Sequence, residues 1–193
     1  MKRYILTGAP GAGKTVILRV LERRGYCVVG EAATDVVARG RAHGNATPWT
    51  APRFIDDMVR LQRSRQERAD TLDAQATVLD RSPICTLALA RFLGFPVSEP
   101  LAQELERLRR LGLYERRVAF VESLGFITHT AARRISLEEA TAFGALHEAV
   151  YRELGYDLIR IAPGPPETRA DEVQVLMGAP AANGFAAARR PWR

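Results

Sequence analysis

The stretch Gly8-Ala9-Pro10-Gly11-Ala12-Gly13-Lys14-Thr15 constrains this chain more than any other. It fits the pattern G-x-x-x-x-G-K-[S/T] in full. An apolar run over residues 3–7 precedes it, and residues 14–24 follow with helical spacing. The segment therefore reads as strand, tight loop and helix. Each position has a chemical reason. The glycines let backbone wrap closely around an anion, with several N–H groups turned inward. A helix beginning near Lys14 directs its positive end at the same point. Lys14 adds a full charge, and the Thr15 hydroxyl suits Mg²⁺. Gly8, Ala9, Pro10, Gly11, Ala12, Gly13, Lys14 and Thr15 are thus the candidate triphosphate site. The only other lysine is Lys2. A chain that otherwise uses arginine for positive charge keeps a compact ammonium where arginine's planar fork is no substitute.

The rest of the chain alternates. Strands are expected at 26–29, 76–79, 117–121 and 156–161. Helices are expected at 32–41, 53–74, 83–93, 99–111, 136–154 and 165–177, the fifth of these with a cap built on Ser136 and its acidic first turn. The stretches 43–52 and 124–134 read as loops. This is the pattern of an α/β fold with a five-stranded parallel sheet and helices on both faces, a three-layer P-loop NTPase architecture. Of 193 residues, 47% are hydrophobic. That suits one kinase-like domain over 1–177, with 178–193 as a flexible tail. Cys27 and Cys85 both lie in apolar runs and read as buried free thiols. No stretch is long enough for a signal peptide or membrane span, so the expected location is the cytoplasm. The formal charge is +6. The arginines carrying it are scattered along predicted helices, which argues for solvated faces and an anionic small ligand rather than nucleic acid.

Ligands of such sheets bind beyond the carboxyl ends of the strands. Asp80-Arg81-Ser82 follows the third strand. Asp80 can hold Mg²⁺ or take a proton, and Arg81 can clamp a phosphate; a capping Asp80 with a surface arginine is the plainer alternative. Glu31 follows the second strand, with Asp35 one turn later, and both are candidates for the acceptor; Glu31 also suits a helix N-terminus. Glu122 follows the fourth strand and is a further candidate. Arg133 and Arg134 lie where a mobile segment could bring an arginine to the γ-phosphate. The loop 162–165, with Arg169 nearby, could border the base. His43, His129 and His147 lack metal-ligand spacing and read as surface or capping residues. Trp49 fits either an acceptor site or the core.

With these residues in view, the chain resembles a known group. An N-terminal GAPGAGKT, then Gly30-Glu31-Ala32-Ala33, then Leu79-Asp80-Arg81-Ser82-Pro83, then Leu154-Gly155-Tyr156 before the last strand, is similar to the small P-loop "AAA family ATPase" proteins related to the ribosylnicotinamide kinase domain. The resemblance runs to about Met177 and implies a nucleoside or nucleotide kinase rather than a ring-forming motor. It implies that Asp80 serves the metal or the acceptor, that Arg81 binds phosphate, and that Arg133 or Arg134 belongs to a lid. The expected ligands are ATP, or GTP, with Mg²⁺, and an acceptor the sequence does not name. No N-K-x-D motif appears to favour GTP. The base remains open among Glu31, Asp80 and Glu122. Two alternatives stand beside the kinase: a nucleotide switch acting on a protein, and a kinase of polynucleotide ends.

Overall fold

The computed structural model describes residues 1–124 and 136–178. Arg133, Arg134, His129 and residues 179–193 of the expected tail lie outside the described residues. Five strands form one sheet: β1 (Lys2–Gly8), β2 (Cys27–Val29), β3 (Ala76–Asp80), β4 (Arg117–Val121) and β5 (Asp157–Ile161). Their spatial order is β2-β3-β1-β4-β5, and every pairing is parallel. The α/β reading and the strand count are as expected.

β1 is central and covered on both faces, so its side chains are apolar in both directions. Ile5 belongs to one core cluster, Tyr4 and Leu6 to the other. The second cluster lies under α1 (Lys14–Arg23) and α7 (Pro166–Leu176). The first lies under α2 (Ala32–Ala42), α3 (Arg53–Asp70), α4 (Pro83–Phe92), α5 (Glu99–Leu111) and α6 (Leu137–Glu153). The period-2 alternation of the strands thus assigns a set of helices to each face.

Local chemistry sets the helix starts. Ser82 caps α4 by accepting from Ile84 N at 3.2 Å, with Pro83 at the first helical position. Ser136 and Glu139 form a reciprocal capping box at α6, as the acidic first turn suggested. One end differs from expectation. α3 stops at Asp70 rather than at 74, and by Gln75, whose carbonyl accepts from the Lys2 N–H at 3.1 Å, the chain has joined the sheet beside β1. The loop at 48–50 contains a 3-10 turn whose Trp49 packs, half-buried, on the core beneath Arg41. Cys85 is buried as expected, but Cys27 on the short edge strand β2 is only half-buried; both are free thiols. No described helix is long and apolar enough to cross a membrane.

Candidate active site

After β3 the chain crosses to the other side of β1, so the carboxyl end of β1 lies between those of β3 and β4. Leu6 pairs with Asp80, and Gly8 with Val121. The first glycine is required there. Gly8 has φ +131°, and a Cβ on it would lie 2.2 Å from Val121 O. Gly13, at φ +85°, starts α1 in the left-handed conformation.

Lys14 folds over the loop it belongs to. Its Nζ donates to Gly8 O at 3.1 Å and Ala9 O at 2.9 Å. Burial and the neighbouring Arg81 charge push its pKa down to about 7, against the opposing pull of Asp80 and Glu31. Thr15 is exposed at the mouth. The loop is gripped from behind by Arg169 of α7, whose guanidinium donates to Ala12 O at 2.9 Å and Glu122 O at 3.1 Å.

The structure brings Glu31, Asp80 and Arg81 together beside Lys14. Arg81 Nε donates to Glu31 Oε1 at 2.8 Å, and the Thr34 hydroxyl donates to Glu31 Oε2 at 3.2 Å. Burial pushes the Glu31 carboxyl up, but the Arg81 and Lys14 charges and these hydrogen bonds outweigh it and hold it below the usual carboxylate range. Glu31 occupies the N-cap position of α2 without capping it with its side chain. Its side chain remains 33% exposed, so solvent reaches the carboxylate. Asp80 does not cap α4; Ser82 does. The Asp80 Oδ1 is buried with no hydrogen-bond partner. Burial raises its pKa to about 6, with Lys14 and Arg81 opposing and Glu31 adding to the rise.

Other expected residues lie apart from this cluster in their contacts. Asp35 pairs with Arg65, which also donates to Glu31 O at 2.8 Å and so braces the β2–α2 junction. The Glu122 carboxylate accepts from Arg160 at 3.0 Å, a bond to β5 rather than to Asp80 or Arg81. His43 accepts the capping description, with Nδ1 2.8 Å from Arg39 O at the end of α2.

His147 does not match its expected surface or capping place. It is completely buried on α6, with Nε2 2.9 Å from Arg81 Nη1 and Nδ1 2.8 Å from Phe143 O. The legible signal was its place on the stripe Phe143, His147, Val150, Tyr151, which helical spacing puts on one face. Beneath it, Ser82 Oγ lies 2.7 Å from the Tyr151 hydroxyl, which lies 3.1 Å from Cys85 Sγ, which lies 3.2 Å from Thr7 Oγ1. This buried chain ties the segment after β3 to β1 and α6.

A family model described as an AAA domain (AAA_28) matches residues 3–169. The chain belongs to this AAA domain family. Among solved structures, a deoxyadenosine kinase from M. mycoides, with dCMP and dCDP bound, is similar over 91% of this chain and 98% of its own, at 14% identity and a TM-score of 0.58. The same enzyme with bound dATP is similar over 92% and 100%, at 14% identity and a TM-score of 0.53. A NadR protein in complex with NAD and AMP-PNP is similar over 96% of this chain at 18% identity and a TM-score of 0.68. This chain covers 52% of the NadR chain, about half its length. At these identities the likeness is one of fold, the kinase-like P-loop fold. No curated protein matches the chain.

Proposed function

We propose that this chain is an ATP-dependent phosphotransferase acting on a hydroxylated small molecule of the nucleoside or nucleotide class. The observation that carries the reading is the junction of the Gly8–Thr15 loop with Lys14, the Glu31–Arg81 pair and the unpartnered Asp80 Oδ1 in one cluster. The loop alone accounts for a bound triphosphate. The carboxylates and Arg81 beside it account for a second substrate. The fold shared with a deoxyadenosine kinase and with a NadR that holds AMP-PNP supports the choice of donor and acceptor class.

The residues fit a Mg²⁺ ion. Asp80 offers an orphaned buried oxygen and Thr15 an exposed hydroxyl, a donor set of the hard-oxygen kind that Mg²⁺ takes together with phosphates. When bound, the metal would neutralise charge on the β and γ phosphates. Glu31 then suits the acceptor, since its carboxylate is partly exposed and is oriented by Arg81 and Thr34. The acceptor oxygen bonds to the γ-phosphorus as the bond to the β–γ bridging oxygen breaks. ADP leaves with that electron pair, and the hydroxyl proton passes to Glu31. A carboxylate of low basicity suffices, because a loose transition state releases the proton late. Lys14 and Arg81 stabilise the charge on the transferring group. Arg133 and Arg134, which lie outside the described residues, are proposed to add to this.

Labelled ATP with a panel of nucleosides, nucleotides and nucleic-acid ends tests the reading. One small acceptor should stimulate transfer. Lys14→Ala should lower turnover at least about 100-fold, the scale of losing one electrostatic stabiliser; undiminished transfer would sink the assignment. Asp80→Asn and Glu31→Gln should keep ATP binding while losing transfer, with Mg²⁺ dependence altered in the first only. Hydrolysis indifferent to every small acceptor but stimulated by a protein would favour the switch.

A further inference from the structure

Arg81 is the only non-glycine residue with a left-handed backbone among the described residues, at φ +70°. Such a conformation costs roughly 1–2 kcal/mol for an L-residue and persists only where its surroundings determine it. Here they do. Its backbone N–H donates to Leu6 O at 3.0 Å, continuing the β1–β3 ladder one residue further. Its side chain, with the residue only 8% exposed, is then held on two edges by partners of different kinds. One is the Glu31 carboxylate. The other is a ring nitrogen of His147, with the Phe143 ring centroid 6.0 Å from the guanidinium carbon.

A guanidinium can only donate, so His147 Nε2 must accept, and the ring proton sits on Nδ1, which donates to Phe143 O. Phe143 also packs edge-on against the imidazole, with ring centroids 4.2 Å apart. The ring is thus fixed in orientation and in tautomer by its own helix. Burial first, and the Arg81 charge second, keep it neutral. The charge consequence is specific. A second carboxylate in this place would cancel the Arg81 charge against Glu31 and itself. A neutral acceptor satisfies the donor and leaves Glu31 as its one carboxylate partner.

We propose that His147 is a positioning residue: a neutral acceptor on α6 that aims the Arg81 guanidinium at the transferring phosphoryl group without setting a second counter-charge beside Glu31. The geometric part stands on the contacts above; the functional part rests on the phosphotransferase reading.

The test uses the full chain and three variants. Glutamine can place its Oε1 where the histidine Nε2 accepts, so His147→Gln should keep kcat within about threefold. His147→Leu fills similar space without an acceptor and should lower kcat about 10- to 100-fold, the range typical of losing a residue that orients a functional group, while KM for ATP changes little. His147→Glu should also lose kcat, since it adds the cancelling charge. Wild-type kcat in His147→Leu, or equal losses in the glutamine and leucine variants, would overturn the proposal. A readout free of activity accompanies these. In ¹⁵N-labelled protein at neutral pH the ring should show protonated Nδ1 and bare Nε2, and the Arg81 Nη1 protons that face it should be protected from exchange in the wild type and the glutamine variant only. An imidazolium, or the opposite tautomer, would overturn it. If the wild type transfers phosphate to no acceptor, the phosphotransferase reading fails, and the ring spectrum still decides whether His147 holds Arg81.

Discussion

Lys14 carries a pKa pushed down to about 7 because it is buried beside Arg81 and satisfied only by backbone carbonyls. A triphosphate would supply the negative charge the site lacks and raise that pKa toward the ordinary lysine value. The sign follows directly: above pH 7 the free protein holds Lys14 largely neutral, the complex holds it charged, and binding takes up a proton. Calorimetric titration of ATP at pH 8 in buffers of different ionisation enthalpy should show uptake of a substantial fraction of one proton per ATP bound, and less at pH 6. Zero uptake at pH 8 would mean that Lys14 is charged throughout. At this scale the turn around Gly8 to Thr15 was legible, because glycines at that spacing between an apolar run and a helical stretch permit the left-handed backbone it adopts. The burial of His147 was written in its apolar stripe, but its partner was not, since Arg81 lies 66 residues away in the chain.

The loop between β1 and α1 draws its shape from elements far away in the chain. Gly8 is pressed against Val121 of β4, and Ala12 O is held by Arg169 of α7. Gly8→Ala cannot keep both the β1–β4 ladder and the loop, because its Cβ would meet a backbone oxygen at 2.2 Å. It should cost about 2–4 kcal/mol in urea denaturation, the range for strain at a special backbone position. An unchanged midpoint would show that β4 yields freely. The elements themselves were largely readable from apolar runs and their stops. The end of α3 was not, because its polar surface carries no stop signal. Nor was the order β2-β3-β1-β4-β5, since pairing depends on contacts distant in sequence.

Across the whole molecule, much of the positive charge that composition reports is paired locally. Arg63 with Glu67, Arg109 with Glu106 and Arg152 with Glu148 are helical neighbours with exposed arginines, whereas Arg107 pairs with the buried Glu104. That agrees with arginines read as solvated faces. The sheet also divides the core. Leu101 on α5 is fully buried in the cluster that supports α2 to α6, whereas Ile17 on α1 is fully buried in the other. Leu101→Ala should lose about 2–4 kcal/mol of stability by leaving a cavity. It should leave ATP affinity within about twofold, since distant sites act independently. A large loss of ATP affinity in folded protein would mean that the two faces are coupled.

That division bears on how such a chain can change over generations. The Gly8–Thr15 loop is backed by α1 and α7, while Glu31, Arg81 and the helices around them rest on the opposite cluster. The sheet works as a bulkhead between these two supports. Substitutions packed under α2 to α6 can accumulate without passing through the contacts that seat the Gly8–Thr15 loop.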